Sequence, residues 1–410
     1  MRILLLIMTL FLTLSCKKSE QEEDKIIDSD YIEFTSMNHF LTTIQEIASD
    51  TSASRLKKFV DSLKVNNQVP FVFNDSVTFI YYGSADNIQW AGDFNNWQPG
   101  GNDFNGEKIG SKLWICTKNF PIDARLDYKI VMNNSSWILD PLNGFTQYSG
   151  FGPNSELRMP EWVFPEETKL MEGVIKGTLS ENIIISSSSE NLGYNVQYKV
   201  YTPYNYEQQT QMPVIYVTDG HEYSDDRLGA MVTVLDNLIY KQQIEPVIAV
   251  FIDPRDPANS SNNRRLVEYR TNQRFAAFVS QELVPLIDQN YKTINSPEHR
   301  AILGTSYGGW NSAYFGLTQS ETFRLIGMHS PAFDQSMINS YSNTGMKPLK
   351  IYMSTGTIND TEDRSRLLKA VLEDKGYIFQ YKEVNEGHSW GNWKGLIDEP
   401  LIFFFGNSKI

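Results

Sequence analysis

The hydrophobic positions of the chain fall into three successive patterns, and each pattern predicts a different kind of structure. Two short stretches, residues 40–47 and 56–63, place apolar side chains at helical spacing on one face. Residues 71–162 carry short β-rich runs separated by turn residues. From residue 170 to residue 410, continuous apolar runs alternate with amphipathic stretches. The chain is therefore expected to contain a helical leader, a β module and an α/β domain.

The middle pattern predicts an antiparallel β-sandwich over residues 70–162. Residues 77–82, 113–117 and 126–132 are rich in β-branched and aromatic side chains, which favour strands. Residues 133–136, Asn-Asn-Ser-Ser, predict the tip of a hairpin after the last of these runs. Several short strands at this spacing are typical of a two-sheet sandwich.

The last pattern predicts an α/β domain over residues 170–410, with a mainly parallel sheet flanked by helices. The runs 213–218 and 246–252 are almost wholly apolar, as strands buried on both faces of a sheet should be. Residues 228–238, which lie between them, carry a helical stripe of leucine, methionine and valine. Residues 173–178 are also expected to form a strand. Such alternation of strand and helix favours parallel pairing.

The first residues are predicted to form an export signal. A charged start precedes an apolar run that is too short for a permanent membrane span, and Ser15 and Cys16 follow it. This order resembles a bacterial lipoprotein signal. The resemblance implies that residues 1–15 are removed, that Cys16 is lipidated, and that the exported chain is anchored to the outer membrane, on its periplasmic face or at the cell surface. Residues 16–69 would then form a polar tether and the helical leader.

Composition narrows the classes of partner. The 410 residues carry a formal net charge of -13, so there is no basic surplus to neutralise the phosphates of a nucleic acid. Besides Cys16, the sequence has only Cys116, which excludes an internal disulfide in the mature chain and a cysteine cluster for metal. No glycine pattern for a dinucleotide or a phosphate follows a predicted strand, and no metal-ligand spacing is present. No cofactor or metal is therefore expected, and the oligomeric state stays open.

One stretch carries the strongest chemical signal. Residues 301–310, A-I-L-G-T-S-Y-G-G-W, join a short apolar run to the motif G-x-S-x-G. Gly304 and Gly308 lack the Cβ atoms that would crowd a sharp turn between a buried strand and a helix, so Ser306 is expected to project from that turn. Ser306 is the candidate nucleophile, provided that a base can take its proton.

Among the five histidines, His388 is the best candidate for that base. It lies downstream of the serine on the glycine-containing loop N-E-G-H-S-W, after the last predicted strand. The carboxylate that orients it is expected between the two, in the chain order serine, acid, histidine. Asp360, just past the predicted strand at residues 349–353, is the favoured acid, and Asp363 and Glu362 are the alternatives.

Two N–H groups should stabilise the oxyanion that forms when a serine attacks an ester. One is the backbone N–H of Tyr307, which follows the candidate nucleophile. The other is expected in the loop T-D-G-H-E-Y after the strand at residues 213–218, from His221 or Glu222. Gly220 in this loop would let the backbone approach the substrate closely, and the ring of His221 would line the pocket.

Motifs in the β module resemble a known family. G-D-F-N-N-W, Y-K-I-V-M and W-I-L-D-P-L-N follow one another as in the immunoglobulin-like module of isoamylases and glycogen-binding proteins, carbohydrate-binding module family 48. The resemblance implies an immunoglobulin-like sandwich, and it places Trp97, Lys129 and Trp137 where sugar-binding members contact their ligand. In the alternative that we favour, these aromatic side chains hold loops onto the sandwich and contact no sugar.

The last part of the chain resembles the esterase D family. G-T-S-Y-G-G, G-T-I-N-D and G-H-S-W-G-N-W, with Y-V-T-D-G-H upstream, carry the resemblance over residues 170–408. The family includes feruloyl and acetylxylan esterases of carbohydrate esterase family 1, and enterochelin esterases. The resemblance implies an α/β-hydrolase domain and a triad of Ser306, Asp360 and His388. Three tryptophans beside the motifs could form an aromatic wall for the substrate: Trp310, Trp390 and Trp393.

These observations favour a serine carboxylesterase that releases feruloyl or acetyl groups from a polysaccharide or oligosaccharide. A siderophore trilactone esterase of the enterochelin type is one alternative, although iron release in the cytoplasm would not need an export signal. The other alternative is a surface glycan-binding lipoprotein with an inactive hydrolase domain. An incomplete set of serine, acid and base would favour that alternative, whereas all three are present here in the expected order.

Overall fold

The structure, a computed structural model, describes residues 32–49, 53–100 and 103–407. The predicted signal and its Cys16 lie outside these residues. The described chain begins with two helices, α1 (Met37–Ser49) and α2 (Ala53–Val65). Their apolar stripes, which include Phe40, Ile44 and Val60, share one buried cluster with strand residues such as Ile80 and Ile115. The helical leader therefore packs onto the strands that follow it.

Nine strands come next, and we refer to them as the β region. They form two antiparallel sheets, one in the order β1-β2-β5-β4 and the other in the order β3-β6-β9-β8, with β7 paired to β6. Phe79 of the first sheet and Trp90 and Leu126 of the second belong to one buried cluster, so the two sheets enclose a shared core. The strands are β1 (Phe71–Phe73), β2 (Ser76–Tyr82), β3 (Ile88–Gly92), β4 (Glu107–Ile109), β5 (Leu113–Asn119), β6 (Arg125–Met132), β7 (Ser136–Ile138), β8 (Thr146–Ser149) and β9 (Gly152–Arg158).

The rest of the described chain is the α/β region, whose nine-stranded sheet has the order β10-β12-β14-β13-β17-β18-β19-β20, with β11 paired to β12. Strands β14, β13, β17, β18, β19 and β20 run parallel. The strands are β10 (Thr178–Leu179), β11 (Ile183–Ser186), β12 (Asn195–Thr202), β13 (Val214–Val217), β14 (Ile248–Asp253), β15 (Arg255–Asp256), β16 (Asn259–Asn263), β17 (Arg300–Thr305), β18 (Leu325–His329), β19 (Lys350–Gly356) and β20 (Ile378–Val384). The helices are α3 (Gly220–Tyr223), α4 (Met231–Tyr240), α5 (Arg265–Glu268), α6 (Gln273–Phe278), α7 (Val284–Asn290), α8 (Tyr307–Thr318), α9 (Gln335–Asn343), α10 (Glu362–Asp374), α11 (Trp390–Lys394) and α12 (Asp398–Phe405).

The central strands of this sheet are buried on both faces, as their apolar runs predict. In β13, Val214 and Tyr216 join the core on one face, while Ile215 and Val217 join the core on the other. Because parallel strands end at the same edge, the residues that follow β13, β17, β18, β19 and β20 are brought together there. This edge carries the candidate site.

One predicted strand is wrong. Residues 173–177 are not a strand, and pairing with β12 begins only at Thr178. The backbone N–H of Gly177 donates to Oδ1 of Asp236 at 2.7 Å, so a helix side chain satisfies this group instead of a neighbouring strand. The apolar residues in this segment misled the prediction, because periodicity does not show where backbone groups find their partners.

Candidate active site

Ser306 sits at a sharp turn between β17 and α8. Its backbone has φ 57° and ψ -117°, which is a strained conformation for a residue other than glycine. Its N–H donates to the carbonyl of His329 at 2.9 Å, and its own carbonyl accepts from Trp310 and Ala332, each at 3.0 Å. A Cβ atom on Gly304 would clash with the side chain of Thr218 and with the backbone after the serine. The glycine motif therefore permits the turn that presents the Ser306 hydroxyl.

His388 connects this hydroxyl to a carboxylate. Its Nε2 lies 2.8 Å from Oγ of Ser306, and its Nδ1 lies 2.6 Å from Oδ1 of Asp360. With the ring proton on Nδ1, the imidazole donates to the carboxylate and accepts from the hydroxyl. This geometry allows the histidine to take the serine proton while the carboxylate stabilises the resulting imidazolium.

Asp360 is held by several donors. Its Oδ2 accepts from the backbone N–H of Gly356 at 2.6 Å and from the hydroxyl of Ser330 at 2.5 Å. Its side chain is fully buried, whereas Asp363 is exposed in the first turn of α10. Glu362 accepts from the backbone N–H of Asp360 at 3.2 Å and makes no described contact with the histidine. Of the three acids named from the sequence, the structure therefore brings Asp360 to the ring of His388.

The two aspartates allow a matched test. We expect Asp360→Asn to lower kcat for ester hydrolysis by about 10⁴-fold, because an amide can present its N–H to Nδ1 and favour the wrong tautomer. Asp363→Asn, a control of the same chemistry, should leave kcat within twofold of wild type. Steady-state kinetics on one soluble ester would measure both. A larger loss for Asp363→Asn than for Asp360→Asn would reverse the assignment of the acid.

The tryptophans do not form one wall. Trp393 contacts the ring of His388 edge-on, with centroids 5.0 Å apart, and its indole N–H donates to Ser330 at 2.9 Å. Trp390 lies next to Trp393 and, like it, lines the cavity beside Ser306. The prediction that Trp310 forms part of an aromatic wall for the substrate is wrong. Its side chain, in the first turns of α8, is buried in the core on one face of the sheet and does not line this cavity.

The oxyanion donors expected from the sequence lie at the starts of two helices. Tyr307 is the first residue of α8, and Gly220 and His221 are the first two residues of α3. The first N–H groups of a helix have no partner within it, so these groups are candidates to donate to the oxyanion, and His221 itself lines the cavity. The N–H of Glu222 is different, because it donates to the carbonyl of Asp219 at 2.9 Å. Tyr307 with Gly220 or His221 is therefore the better pair.

The expectation that Gly220 lets the backbone approach the substrate closely is wrong. A Cβ atom there would clash with the backbone of Phe251 and Ile252 in β14, so the glycine lets α3 pack against its own sheet. It does not create space for a substrate. The ring of His221 does line the cavity, and Oδ1 of Asp253 lies 3.3 Å from its Nδ1. Burial lowers the pKa of His221, which favours the neutral form of its ring.

Both regions line the cavity. Its volume is about 540 Å³, a size suited to a small organic ligand or a short oligosaccharide. From the α/β region come Ser306, His388 and the aromatic residues described above. From the β region come Trp97, Lys129 and Trp137, the three residues singled out by the family 48 motifs. The structure thus places these three side chains beside the candidate nucleophile, although Trp97 also holds its own loop by donating to Asp93 at 3.1 Å.

A buried group of charges joins the β region to the loop that carries His388. Arg125, at the start of β6, is 1% exposed. Its guanidinium pairs with Asp127 and Glu156 inside the β region and with Glu386 of the α/β region at 3.3 Å. Since Glu386 lies two residues before His388, this ion pair holds the start of the loop that carries the histidine.

Hydrogen bonds between the two regions reach the loops of both the acid and the base. The side chain of Asn359, next to the acid, donates to the carbonyl of Asp93 at 2.8 Å. The side chain of Asn385, close to the base, donates to Oδ1 of Asp123 at 2.7 Å. The β region is therefore part of the framework that holds the candidate site.

The carboxyl groups at this junction have perturbed acidities. Burial, assisted by the charge of Asp127, raises the pKa of Asp93 from 3.8 to about 8. Burial also raises the pKa of Glu386 to about 7, although Arg125 acts in the opposite direction. The carboxyl groups at this junction outnumber the cations. Protonation of some of these carboxyl groups therefore reduces the repulsion between their negative charges.

The raised pKa of Asp93 predicts how the stability of the fold depends on pH. A folded-state pKa above the unfolded value means that the native chain holds the extra proton between pH 3.8 and about 8. The contribution of Asp93 is therefore fully present at low pH and is lost as pH rises through that window. We expect Asp93→Asn to be less stable than wild type at pH 5 and to recover relative to wild type by up to about 1.4 kcal/mol per pH unit towards pH 8. Urea unfolding across this range would test it, and parallel curves would contradict it.

Sequence reasoning missed two residues that support the site. Ser330, which donates to Asp360, follows β18 with φ 41°. A signal existed for it, because it comes directly after a predicted strand at the edge where the site forms. Arg125 gave no such signal, since a single arginine in a strand is normally exposed.

No metal site or membrane span is visible in the residues that the structure describes. Within residues 32–49, 53–100 and 103–407, no group of three or more His, Cys, Asp and Glu side chains is arranged to hold a metal ion. In the same part of the chain, no helix has the length and apolar character needed to cross a bilayer.

Comparisons with known proteins identify a family that this chain matches. Residues 189–404, which are 216 of the 410, match the family described as Putative esterase. The uncharacterized protein YjcH of Bacillus subtilis (strain 168) is 28% identical over 240 residues, covering 55% of this chain and 96% of that protein. An endo-1,4-beta-xylanase/feruloyl esterase of Xylanibacter ruminicola is 30% identical over 150 residues, covering 35% of this chain and 20% of that protein.

A solved structure extends the likeness beyond the family match. The enterobactin esterase of Shigella flexneri superposes with a TM-score of 0.65 at 20% identity, covering 80% of this chain and 92% of that chain. At this identity the comparison shows a shared fold. The family match covers more than half of the chain and includes the Ser306 turn, Asp360 and His388. The chain therefore belongs to the Putative esterase family and is a carboxylic ester hydrolase.

Proposed function

We propose that this protein is a serine carboxylesterase that releases feruloyl or acetyl groups from a polysaccharide or oligosaccharide, with Ser306, His388 and Asp360 as its triad. The observation that carries the triad is the continuous chain of short contacts from Oγ of Ser306 through both ring nitrogens of His388 to Oδ1 of Asp360. The strained, glycine-flanked serine turn supports the same assignment.

In the first half of the reaction, Oγ of Ser306 attacks the ester carbonyl carbon while Nε2 of His388 takes the hydroxyl proton. The carbonyl oxygen becomes an oxyanion, which the N–H of Tyr307 and that of Gly220 or His221 stabilise. Collapse of this intermediate breaks the ester bond. His388 then gives its proton to the departing alcohol, and the acyl group stays on Ser306.

In the second half, water replaces the alcohol. His388 takes a proton from the water as its oxygen attacks the acyl carbon, and the same N–H groups stabilise the second oxyanion. Collapse returns the proton to Oγ of Ser306 and releases the carboxylic acid. Each step uses only groups of the chain, substrate and water.

Two observations support a carbohydrate-linked ester. The relative from Xylanibacter ruminicola combines xylanase and feruloyl esterase in its name and shares 30% identity with part of this chain. The cavity also takes Trp97, Lys129 and Trp137 from the β region, the residues for which the family 48 resemblance implies sugar contact, and their place beside Ser306 favours this over the alternative of no sugar contact. A cavity of about 540 Å³ is large enough for an acyl group with one or two sugar units attached.

A siderophore trilactone is the second candidate substrate. The likeness to the enterobactin esterase of Shigella flexneri spans 80% of this chain, so it extends beyond the part that matches the esterase family. Hydrolysis of such a lactone would use the same triad. The export signal predicted from the sequence favours the carbohydrate ester.

We also propose the organisation of the whole chain. Residues 1–15 are a signal peptide, residues 16–69 a tether and helical leader, residues 70–162 an immunoglobulin-like module, and residues 170–410 an α/β-hydrolase domain. The two antiparallel sheets and the mainly parallel sheet support the last two assignments. Lipid attached to Cys16 would anchor the protein to the outer membrane. Loss of membrane association in Cys16→Ala, measured by cell fractionation, would test the anchor.

The substrate proposal is tested with three esters. Feruloylated arabinoxylan, acetylated xylan and a tricatecholate trilactone would be incubated with wild type and with Ser306→Ala, and the released acid measured by chromatography. We expect wild type to release ferulate or acetate and the variant to release neither. Hydrolysis of the trilactone alone would favour the second candidate. Equal release by both proteins would overturn the triad.

A further inference from the structure

We propose that Phe151, at the tip of the β8–β9 hairpin, forms one wall of a subsite for a phenolic ring of the substrate. This inference rests on the proposed function and narrows it from acyl esters in general to esters that carry a phenol. The ring belongs either to a hydroxycinnamoyl group or to a catecholate, and both share the planar shape and acidic hydroxyl that the subsite would recognise.

The exposure of Phe151 is the first observation. Its side chain is 99% exposed, yet it lines the cavity that contains Ser306. A phenylalanine in this position adds almost nothing to the folded core, because it removes no apolar surface from water. Ligand cavities are lined mainly by hydrophobic and aromatic side chains, so the place of Phe151 in the lining makes its ring a candidate ligand contact.

The hairpin tip is pinned in place. The hydroxyl of Ser149 donates to the carbonyl of Gly152 at 2.8 Å and accepts from the N–H of Phe151 at 3.1 Å. A Cβ atom on Gly150 would lie 2.7 Å from Oε1 of Glu222, so the tip rests directly against α3. Phe151 is thus held beside the helix that begins with the candidate oxyanion donors.

Two further contacts hold the strand that leads to the tip. The side-chain amide of Gln147 donates to the carbonyl of Arg227 at 3.2 Å, and the guanidinium of Arg227 lies 5.1 Å from the ring centre of Tyr148. Both contacts join the β region to the segment after α3. A flat ligand would therefore meet a preorganised wall.

The same cavity also contains a second exposed ring and a positive charge from the β region. Trp137 is 42% exposed and lines the same cavity as Lys129. Trp137 pairs with Val131 across β6 and β7, so Lys129 is its diagonal neighbour on that face. None of the ion pairs found among the described residues involves the Lys129 ammonium, so this group can donate to a phenolic oxygen in the cavity.

The test compares Phe151→Ala with Val163→Ala. Val163 is also exposed, at 81%, but it does not line the cavity. Both variants and wild type would be assayed on methyl ferulate, a tricatecholate trilactone and triacetin, which has no ring. We expect Phe151→Ala to lower kcat/KM by at least about 10-fold on one or both phenolic esters, mainly through KM, because an aromatic contact is lost. Triacetin should change by less than twofold, and Val163→Ala should match wild type throughout.

The pattern of loss identifies the source of the ring. A loss on methyl ferulate assigns the subsite to a hydroxycinnamoyl group, and a loss confined to the trilactone assigns it to a catecholate. Either result supports the proposal. Unchanged kcat/KM on both phenolic esters, or an equal loss on triacetin, would overturn it.

A binding measurement separates this inference from the proposed function. Titration calorimetry of ferulate and of 2,3-dihydroxybenzoate into Ser306→Ala and into Ser306→Ala/Phe151→Ala requires no hydrolysis. We expect the dissociation constant to rise by at least about 10-fold in the double variant for one of the two acids. Equal binding would overturn the subsite, whereas failure of the triad would show only as Ser306→Ala retaining wild-type hydrolysis.

Discussion

Replacing Ser306 with alanine is expected to lower kcat for ester hydrolysis by on the order of 10⁴- to 10⁶-fold, with little change in KM. The hydroxyl forms the covalent bond to the acyl group, so the remaining N–H donors can only assist direct attack by water. Removal of one oxygen atom leaves the backbone hydrogen bonds of the turn intact, since those involve its N–H and carbonyl groups. Steady-state kinetics with a chromogenic ester would measure the loss.

Ser340→Ala is the matched control. Ser340 lies on α9, where its hydroxyl donates to the carbonyl of Ser336 at 2.8 Å. Its side chain does not line the cavity. This variant should keep the wild-type kcat. If Ser306→Ala retained more than a tenth of the wild-type kcat while folded, the serine could not be the nucleophile.

Replacing Arg125 with methionine is expected to have the second largest effect, on the free energy of unfolding. The change would leave Asp127, Glu156 and Glu386 without the cation that they share in a buried environment. Breaking a buried ion pair by removing one partner costs about 3 to 5 kcal/mol. Because Glu386 precedes the loop of the base, the folded fraction should also show a lower kcat.

An exposed ion pair provides the comparison. Arg366 and Glu383 form a bidentate pair, with Nε and Nη2 donating at 2.8 Å, on the solvent side of the α/β region. Arg366→Met should change the free energy of unfolding by no more than about 1 kcal/mol. Urea denaturation would compare both variants. A similar small loss for Arg125→Met would show that the junction contributes little to stability.

The sequence predicted the catalytic residues of the site better than it predicted the side chains that line the cavity. The glycines around Ser306 and the chain order of serine, acid and base depend on local rules, and the structure brings all three side chains together. The choice of Asp360 over Asp363 depended on where β19 ends. That boundary could be located only to within a few residues, so the alternatives stayed open.

The contacts across the two regions could not be predicted. Nothing local indicates that Arg125 pairs with a residue 261 positions away in the chain, or that Trp310 points into the core while Trp390 faces the cavity. The first feature depends on how the β region packs against the α/β region, and the burial of Trp310 depends on packing within the α/β region itself. The same limit applies to Trp97, Lys129 and Trp137, which the motifs singled out but whose place beside Ser306 was not evident from the sequence.

The most direct test of the central claim is covalent labelling of Ser306. Wild type, Ser306→Ala and His388→Ala would be treated with a fluorophosphonate, and the labelled peptide identified by mass spectrometry. We expect one label per wild-type chain, on Ser306, no label on Ser306→Ala, and a labelling rate for His388→Ala lowered by at least about 10²-fold because the base is lost. An active wild-type protein that takes up no label, or a label on another residue, would contradict the account.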